Sequence, residues 1–257
     1  MEKNFKFLVH QLFSQHHLPP VLQIEYLSGG KNNQVFRIDT LEESFILKFY
    51  FSHPHDPRNR LETEFSFSSF AWEQGIHCIP QPIWADRTHH MALYQYIDGQ
   101  KVNASVLTEE HILQAETFFL ALNRYKHLPE AKMLAIASEA YFSLENHLLC
   151  IEHRLERLMD IPIPTSLEQC AFDFIHQTLD PLWEHIKTEI RTHPFNVKEE
   201  TPWEERCLSP SDFGFHNALL SNNGQFYFLD FEYAGWDEPT KMICDFFCQV
   251  EIPVPLE

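Results

Sequence analysis

The sequence is short of glycine and of positive charge. It has seven glycines in 257 residues, well under half the average usage of about 7%, so each marks a place where the backbone has reason to turn. Only 19 Lys and Arg stand against 37 Asp and Glu, a formal charge of −18. A chain this acidic lacks the electrostatic footprint of a nucleic-acid binder. No apolar run approaches the roughly 20 residues of a membrane span, and Met1-Glu2-Lys3-Asn4-Phe5 lacks the apolar core of a signal peptide. The cysteines Cys78, Cys150, Cys170, Cys207, Cys244 and Cys248 include no C-x-x-C pair. They read as reduced thiols of a cytoplasmic protein, neither a disulfide framework nor a zinc site. H-E-x-x-H, Walker A and G-x-G-x-x-G patterns are all missing, which weakens zincin, P-loop and dinucleotide readings.

What is present is globular: 44% hydrophobic residues and 14% aromatics, enough for one large domain or two coupled lobes. The first hundred residues alternate β-rich runs with two helices. A helix is expected over 3–16, strands at 23–27, 34–39 and 45–51, a helix at 58–74 closed near Gly75, and a strand at 91–97. From about 108 the period turns helical. Ile112, Ala115, Phe119 and Leu122 share one stripe, as do Leu144, Leu148, Ile151, Leu155 and Leu158. A further helical stretch covers 166–192, with Pro181 kinking or splitting it. Short strands return at 218–231, and a last helix starts near Pro239. The simplest organisation is a β-rich N-terminal lobe and a larger helical C-terminal lobe meeting near residue 98.

Three segments carry chemistry. Phe45-Ile46-Leu47-Lys48-Phe49-Tyr50-Phe51 sets one charge among six apolar residues. A lysine there either snorkels from an edge strand or meets a buried anion, since an unpartnered buried ammonium is costly. Glu62 and Glu64 of the following helix are candidate partners, but two residues apart they face different ways, so only one can serve. Upstream, Ser28-Gly29-Gly30-Lys31-Asn32-Asn33 is either an ordinary hairpin turn or a loop whose backbone N–H groups cradle phosphate.

The third segment runs from Ser209 to Glu232. Asn223-Gly224 between apolar runs is a hairpin signal. A two-residue loop there sets Asn222 against Gln225 and, counting outward, Asn217 against Asp230, on one face with Cβ atoms about 5 Å apart. An amide oxygen and a carboxylate so placed can share a hard cation such as Mg²⁺. Asp212, five residues before Asn217, is free to orient an incoming hydroxyl.

These landmarks, in this order, resemble the aminoglycoside phosphotransferase/choline kinase family of small-molecule kinases. Ser28–Val35, with Gly29, Gly30 and Asn33, resembles the nucleotide loop. Lys48 matches the strand lysine that contacts nucleotide phosphates, and the distance to Gly75 selects Glu64 as its partner. Met91–Gly99, with Gln95, Tyr96 and Ile97, resembles the hinge strand that reads adenine. Pro210-Ser211-Asp212 through Asn217 resembles the catalytic loop H-G-D-x-x-x-x-N, and Asp230-Phe231-Glu232 the metal-binding motif after it. The resemblance implies an α+β, protein-kinase-like two-lobe fold. Its small antiparallel-sheet N-terminal lobe would span 1–98 and its larger, mainly helical C-terminal lobe 99–257. It also implies Asp212 as the residue orienting the acceptor hydroxyl, Mg²⁺ on Asn217 and Asp230, and ATP or GTP as co-substrate. Asp245 would buttress the catalytic loop.

Two departures stand out. Pro210 and Ser211 replace the loop histidine and glycine of the motif, where that histidine supports the loop. The chain also ends twelve residues after Asp245, where family members continue through more helices, so part of the acceptor site is expected to lie beyond it. The acidic stretch 104–206 either concentrates a cationic acceptor, an amino sugar or amino alcohol, or is a solvated helical surface. Trp183 and Trp203 either stack on that acceptor or fill a core. Two functions remain open: a phosphotransferase acting on a small-molecule hydroxyl, or a nucleotide-binding pseudokinase that serves as an interaction module.

Overall fold

The computed structural model describes residues 2–27, 33–54, 56, 58–162, 165–194 and 196–254. They form two compact units, one made of residues 1–140 with 207–257 and the other of residues 141–206.

The first unit begins with α1 (Glu2–Gln15). Val9, Leu12 and Phe13 lie at helical spacing and share a core with Ile38, Phe45, Leu47, Met91 and Leu93. Those last residues belong to a five-stranded antiparallel sheet. It comprises β1 (Val21–Leu27), β2 (Gln34–Thr40), β3 (Ser44–Phe49), β4 (Pro82–Asp86) and β5 (Met91–Gln95), in the order β1-β2-β3-β5-β4. β3 is the central strand, which is why its run is almost wholly apolar. β4 was not among the expected strands. It is an edge strand, irregular between Pro82 and Trp84, where a residue without an N–H is tolerated. The helix α2 (Arg60–Glu73), capped by Asn59, turns Leu61, Glu64, Phe67, Ser68 and Ala71 inward. After β6 (Gly99–Gln100), α3 (Glu109–Arg124) buries Ala115, Phe118 and Leu122.

The second unit contains α4 (Leu144–Met159), capped by Ser143, and then α5 (Ser166–Phe174), capped by Thr165. A π-helical turn at Ile175–Leu179 leads into α6 (Asp180–Thr192). The stretch is thus divided, and the division is the π-helical turn that immediately precedes Pro181. Pro181 itself occupies the first turn of α6, where its missing N–H matters least. Trp183 is buried, and its indole N–H donates to Glu152, which also takes Lys187 at 3.1 Å. That places Trp183 in a core.

Back in the first unit, β7 (Cys207–Ser209) pairs with β10 (Gly235–Asp237), and β6 pairs with β8 (Ala218–Ser221), which pairs with β9 (Phe226–Phe228). α7 (Pro239–Phe247) packs Met242 and Phe246 into the core formed by Phe67, Phe118, Phe213, Phe215, Phe226, Phe228 and Trp236.

The β8–β9 register corrects the sequence expectation by one residue. Ala218 opposes Phe228 and Leu220 opposes Phe226, so Asn217 lies against Leu229, whose N–H reaches the Asn217 carbonyl at 2.8 Å. A two-residue turn of the favoured type needs positive φ at both central residues. Among Asn223 and Gly224 only the glycine has it, at +81°. The loop is instead three residues long, closed by Gly224 N–H to Ser221 C=O at 3.0 Å and Ser221 N–H to Gln225 C=O at 3.0 Å. The Ser221 hydroxyl and the Asn223 side chain cap Gln225.

Candidate active site

A cleft of about 810 Å³ in the first unit is lined by Lys48 and Glu64, by Gln95, Tyr96 and Ile97, and by Asp212, Asn217, Asp230 and Glu232. Sequence positions 48 to 232 thus converge on one space.

Lys48 is fixed by the centre of the sheet and α2. Its side chain is 9% exposed, and its ammonium donates to Glu64 at 2.6 Å and to Asp230 at 2.5 Å. Glu64, 7% exposed, is the helix acid that faces inward. Glu62, on another face, holds Arg87 through both oxygens at 2.8 and 2.9 Å. Desolvation works against the Lys48 charge, but the carboxylates of Glu64 and Asp230 hold the ammonium above its ordinary value. Burial pushes the Glu64 carboxyl up to about 7, with Asp230 adding to the push and Lys48 opposing it. One cation shared by two acids is a site short of positive charge.

The loop between β7 and β8 delivers the other groups. Ser211 and Asp212 both sit in the left-handed region, φ +50° and +43°, a conformation costing a non-glycine residue on the order of 1 kcal/mol. The Ser211 N–H is taken by the Ser209 hydroxyl at 3.0 Å, and Asn123 of α3 clamps the Leu208 backbone through both its N–H and its C=O. A 3-10 turn at Phe215–Asn217 brings the Asn217 amide back onto Asp212. Its Nδ2 donates to the Asp212 carbonyl at 3.1 Å and to the carboxylate at 3.3 Å. Asp212 is half-exposed, and hydrogen bonding from His216 foremost keeps its carboxyl below the usual value. Asp230, at φ +66°, enters the cleft directly after β9. Asn217 and Asp230 both reach the cleft although they are not strand partners, because a tight turn and a left-handed residue re-aim them.

The remaining expected residues divide. Gly29 and Gly30 lie outside the described residues. Asn33 is buried with its side chain fully engaged: Nδ2 donates to Glu232 at 2.6 Å, and Oδ1 accepts the Phe51 N–H at 3.0 Å. Along the hinge, the Gln95 N–H is taken by Gln81 and the Tyr96 N–H by Ser44. Among the described residues the Ile97 N–H has no partner. Asp245 does not touch the loop in any described contact; it pairs with Lys241 at 2.7 Å, which also holds the buried Asp237 at 3.0 Å.

Three residues around the cleft carry roles that the sequence reading did not assign them: Glu232, named there only within the Asp230-Phe231-Glu232 motif, and Lys101 line it, and His216 contacts Asp212. Glu232 joins Asn33 to Arg60, at 3.6 Å. Lys101, just after β6, donates to the His216 carbonyl. His216 holds Asp212 at 3.2 Å. The signals available were slight: a lone lysine after the hinge, and a histidine beside Asn217.

Among the described residues no helix is long and apolar enough to cross a membrane. By sequence, no curated protein matches the chain. Solved structures do. A spectinomycin phosphotransferase in complex with ADP and spectinomycin is 15% identical with a TM-score of 0.66, over 92% of this chain and 72% of that one. A choline kinase from Cryptosporidium parvum Iowa II is 13% identical with a TM-score of 0.63, over 95% and 69%. The choline kinase LicA from Streptococcus pneumoniae is 16% identical with a TM-score of 0.55, over 94% and 73%. At these identities the likeness shows the protein-kinase-like fold. The model of the phosphotransferase enzyme family matches residues 23–247, and the chain belongs to that family of kinase-like, small-molecule phosphotransferases.

Proposed function

We propose that this enzyme moves the γ-phosphate of ATP or GTP to a hydroxyl of a small molecule, an amino sugar, a sugar or an amino alcohol. Residues 1–98 would form the nucleotide lobe and 99–257 the catalytic and acceptor lobe. The observation that carries the reading is the Lys48 ammonium held between Glu64 and Asp230 in the cleft that Asp212 and Asn217 also enter. Phosphoryl transfer is mostly positioning and charge neutralisation. Lys48 would grip the nucleotide phosphates, and the Ile97 N–H would read the base at the rim. Asp212, kept ionised, would orient the acceptor hydroxyl and take its proton.

Asn217 and Asp230 would hold Mg²⁺. Their donors are an amide oxygen and a carboxylate, and both residues line the cleft. That suits an ion that takes one or two protein ligands and completes its shell with water and substrate phosphates. When bound it neutralises charge on those phosphates. A cationic acceptor agrees with residues 141–206, which carry 13 acidic against 6 basic side chains.

The test is a panel of choline, ethanolamine, glucosamine, spectinomycin and hygromycin B with Mg·ATP, read by mass spectrometry for phosphorylated product. Product that EDTA or Asp212→Ala abolishes, while Mg·ATP still raises the Tm of that variant, supports the reading. The strained Ser211-Asp212 pair gives the pseudokinase its one physical argument. Stabilisation by Mg·ATP without turnover of any acceptor would decide for it, and no nucleotide binding would sink both.

A further inference from the structure

His216 is the least expected side chain around Asp212. It is 7% exposed and lies in the 3-10 turn that also carries Asn217. Its Nε2 sits 3.2 Å from the Asp212 carboxylate, and its Nδ1 is buried with no hydrogen-bond partner among the described residues. This pattern selects one tautomer. A buried N–H without an acceptor costs more than a buried bare nitrogen, and an ionised carboxylate can only accept. The proton therefore resides on Nε2 and is donated to Asp212, while Nδ1 stays bare.

The surroundings are built for that ring. A Cβ on Gly214 would lie 2.9 Å from Nδ1 and 3.2 Å from Cε1, so residue 214 leaves the imidazole its room. The Lys101 ammonium holds the His216 carbonyl, tying the turn to β6. At the head of the loop, Pro210 has no N–H and no polar side chain to steady Asp212, and Ser211 spends its N–H on Ser209. Asp212 is thus a half-exposed carboxylate on strained backbone, with one oxygen held by His216 and the other by Asn217.

We infer that His216 is the positioning residue of the catalytic centre. Its Nε2–H fixes the Asp212 carboxylate in the orientation that meets the acceptor hydroxyl, and it supports the loop from the C-terminal side where Pro210 cannot from the N-terminal side. The same contact leaves Asn217 Nδ2 to the second Asp212 oxygen, so the amide oxygen of Asn217 is free for a cation. His216 itself touches neither phosphate nor acceptor. The inference rests on Asp212 being the group that orients the hydroxyl, as proposed above.

The test uses the full chain and two readouts. The first is kinetic, on the acceptor turned over fastest in the panel and on slow Mg·ATP hydrolysis with water as acceptor. His216→Leu is expected to lower kcat by about 10- to 100-fold, the range for losing an outer-shell partner that orients a metal-site ligand, with the KM for ATP within about twofold. His216→Gln, whose amide N–H can take the place of Nε2–H, should recover most of that loss. In an Asp212→Asn background, His216→Leu should cost nothing further, because there is no carboxylate left to position.

The second readout is the ¹⁵N spectrum of the His216 ring, which should show the Nε2–H tautomer in the wild type and lose that preference in Asp212→Leu. A histidine that only fills space would give a lower Tm in His216→Leu with kcat unchanged, and that result overturns the inference. So does a ring protonated on Nδ1, or a folded His216→Gln as slow as His216→Leu. Full activity of Asp212→Asn overturns the underlying reading and the inference with it. An inactive Asp212→Asn beside a fully active His216→Leu overturns the inference alone.

Discussion

Lys48 shows how a single residue reports its environment. One charge in an apolar strand demands a buried partner, and α2 presents one acid inward and another outward. Replacing Lys48 with Met leaves Glu64 and Asp230 facing each other without a cation. Breaking a buried pair in this way costs about 3–5 kcal/mol of stability. The variant should unfold at lower urea, and kcat/KM for ATP should fall by about 10²–10³-fold, as on loss of one transition-state electrostatic contact. Lys48→Met/Glu64→Gln should recover part of the stability and none of the activity. A stability loss in the double variant equal to the sum of the Lys48→Met and Glu64→Gln losses would show that the pair is not coupled. Lys48 was legible because its oddity is local. His216 and Lys101 were not, because their meaning depends on each other across 115 residues and on a turn geometry that no periodicity announces.

At the scale of elements, backbone detail rather than pattern sets the site. The hydrophobic periods located the helices and the central strands, since burial on one face writes itself into the sequence. They missed β4, whose proline looks like a breaker, and they could not count the residues of the hairpin loop. A one-residue shift of register would flip every side chain of an ordinary strand. Here it does not remove Asn217 and Asp230 from the cleft, because both sit just beyond the paired residues. A similar constraint governs Gly235, in β10. Its φ is +155°, and a Cβ there would fall 2.2 Å from the Ala135 carbonyl oxygen and 2.8 Å from the Ala137 N–H. That carbonyl accepts the Trp236 N–H at 2.9 Å, and the Trp236 carbonyl accepts the Ala137 N–H at 2.9 Å. Gly235→Ala must push this paired backbone apart. It should cost more than about 2 kcal/mol, above the ordinary range for a surface substitution. Gly224→Ala, with open space around its Cβ, should cost only the price of its positive φ, about 1 kcal/mol. Chemical denaturation of the two variants side by side checks the order, and a Gly235→Ala no weaker than Gly224→Ala would refute the steric account.

For the whole molecule, the −18 charge is a statement about traffic rather than about fold. The two substrates of a phosphotransferase differ in how they meet such a field: a nucleotide is a polyanion, repelled at long range, while a cationic acceptor is drawn in. Salt screens both effects, with a Debye length near 10 Å at 0.1 M and about 3 Å at 1 M. Raising ionic strength from about 0.05 to 0.5 M should therefore raise the KM of a cationic acceptor such as choline several-fold. The KM for Mg·ATP should stay level or fall, because on the proposed reading Lys48 would engage it at contact distance inside the cleft, where screening is weak. A neutral hydroxyl acceptor of similar size provides the control, since its KM should not move with salt. If the fastest acceptor in the panel is cationic and its KM is flat across that range, the acidic side chains act only as a solvated surface. The preference for cations must then come from contacts inside the acceptor site.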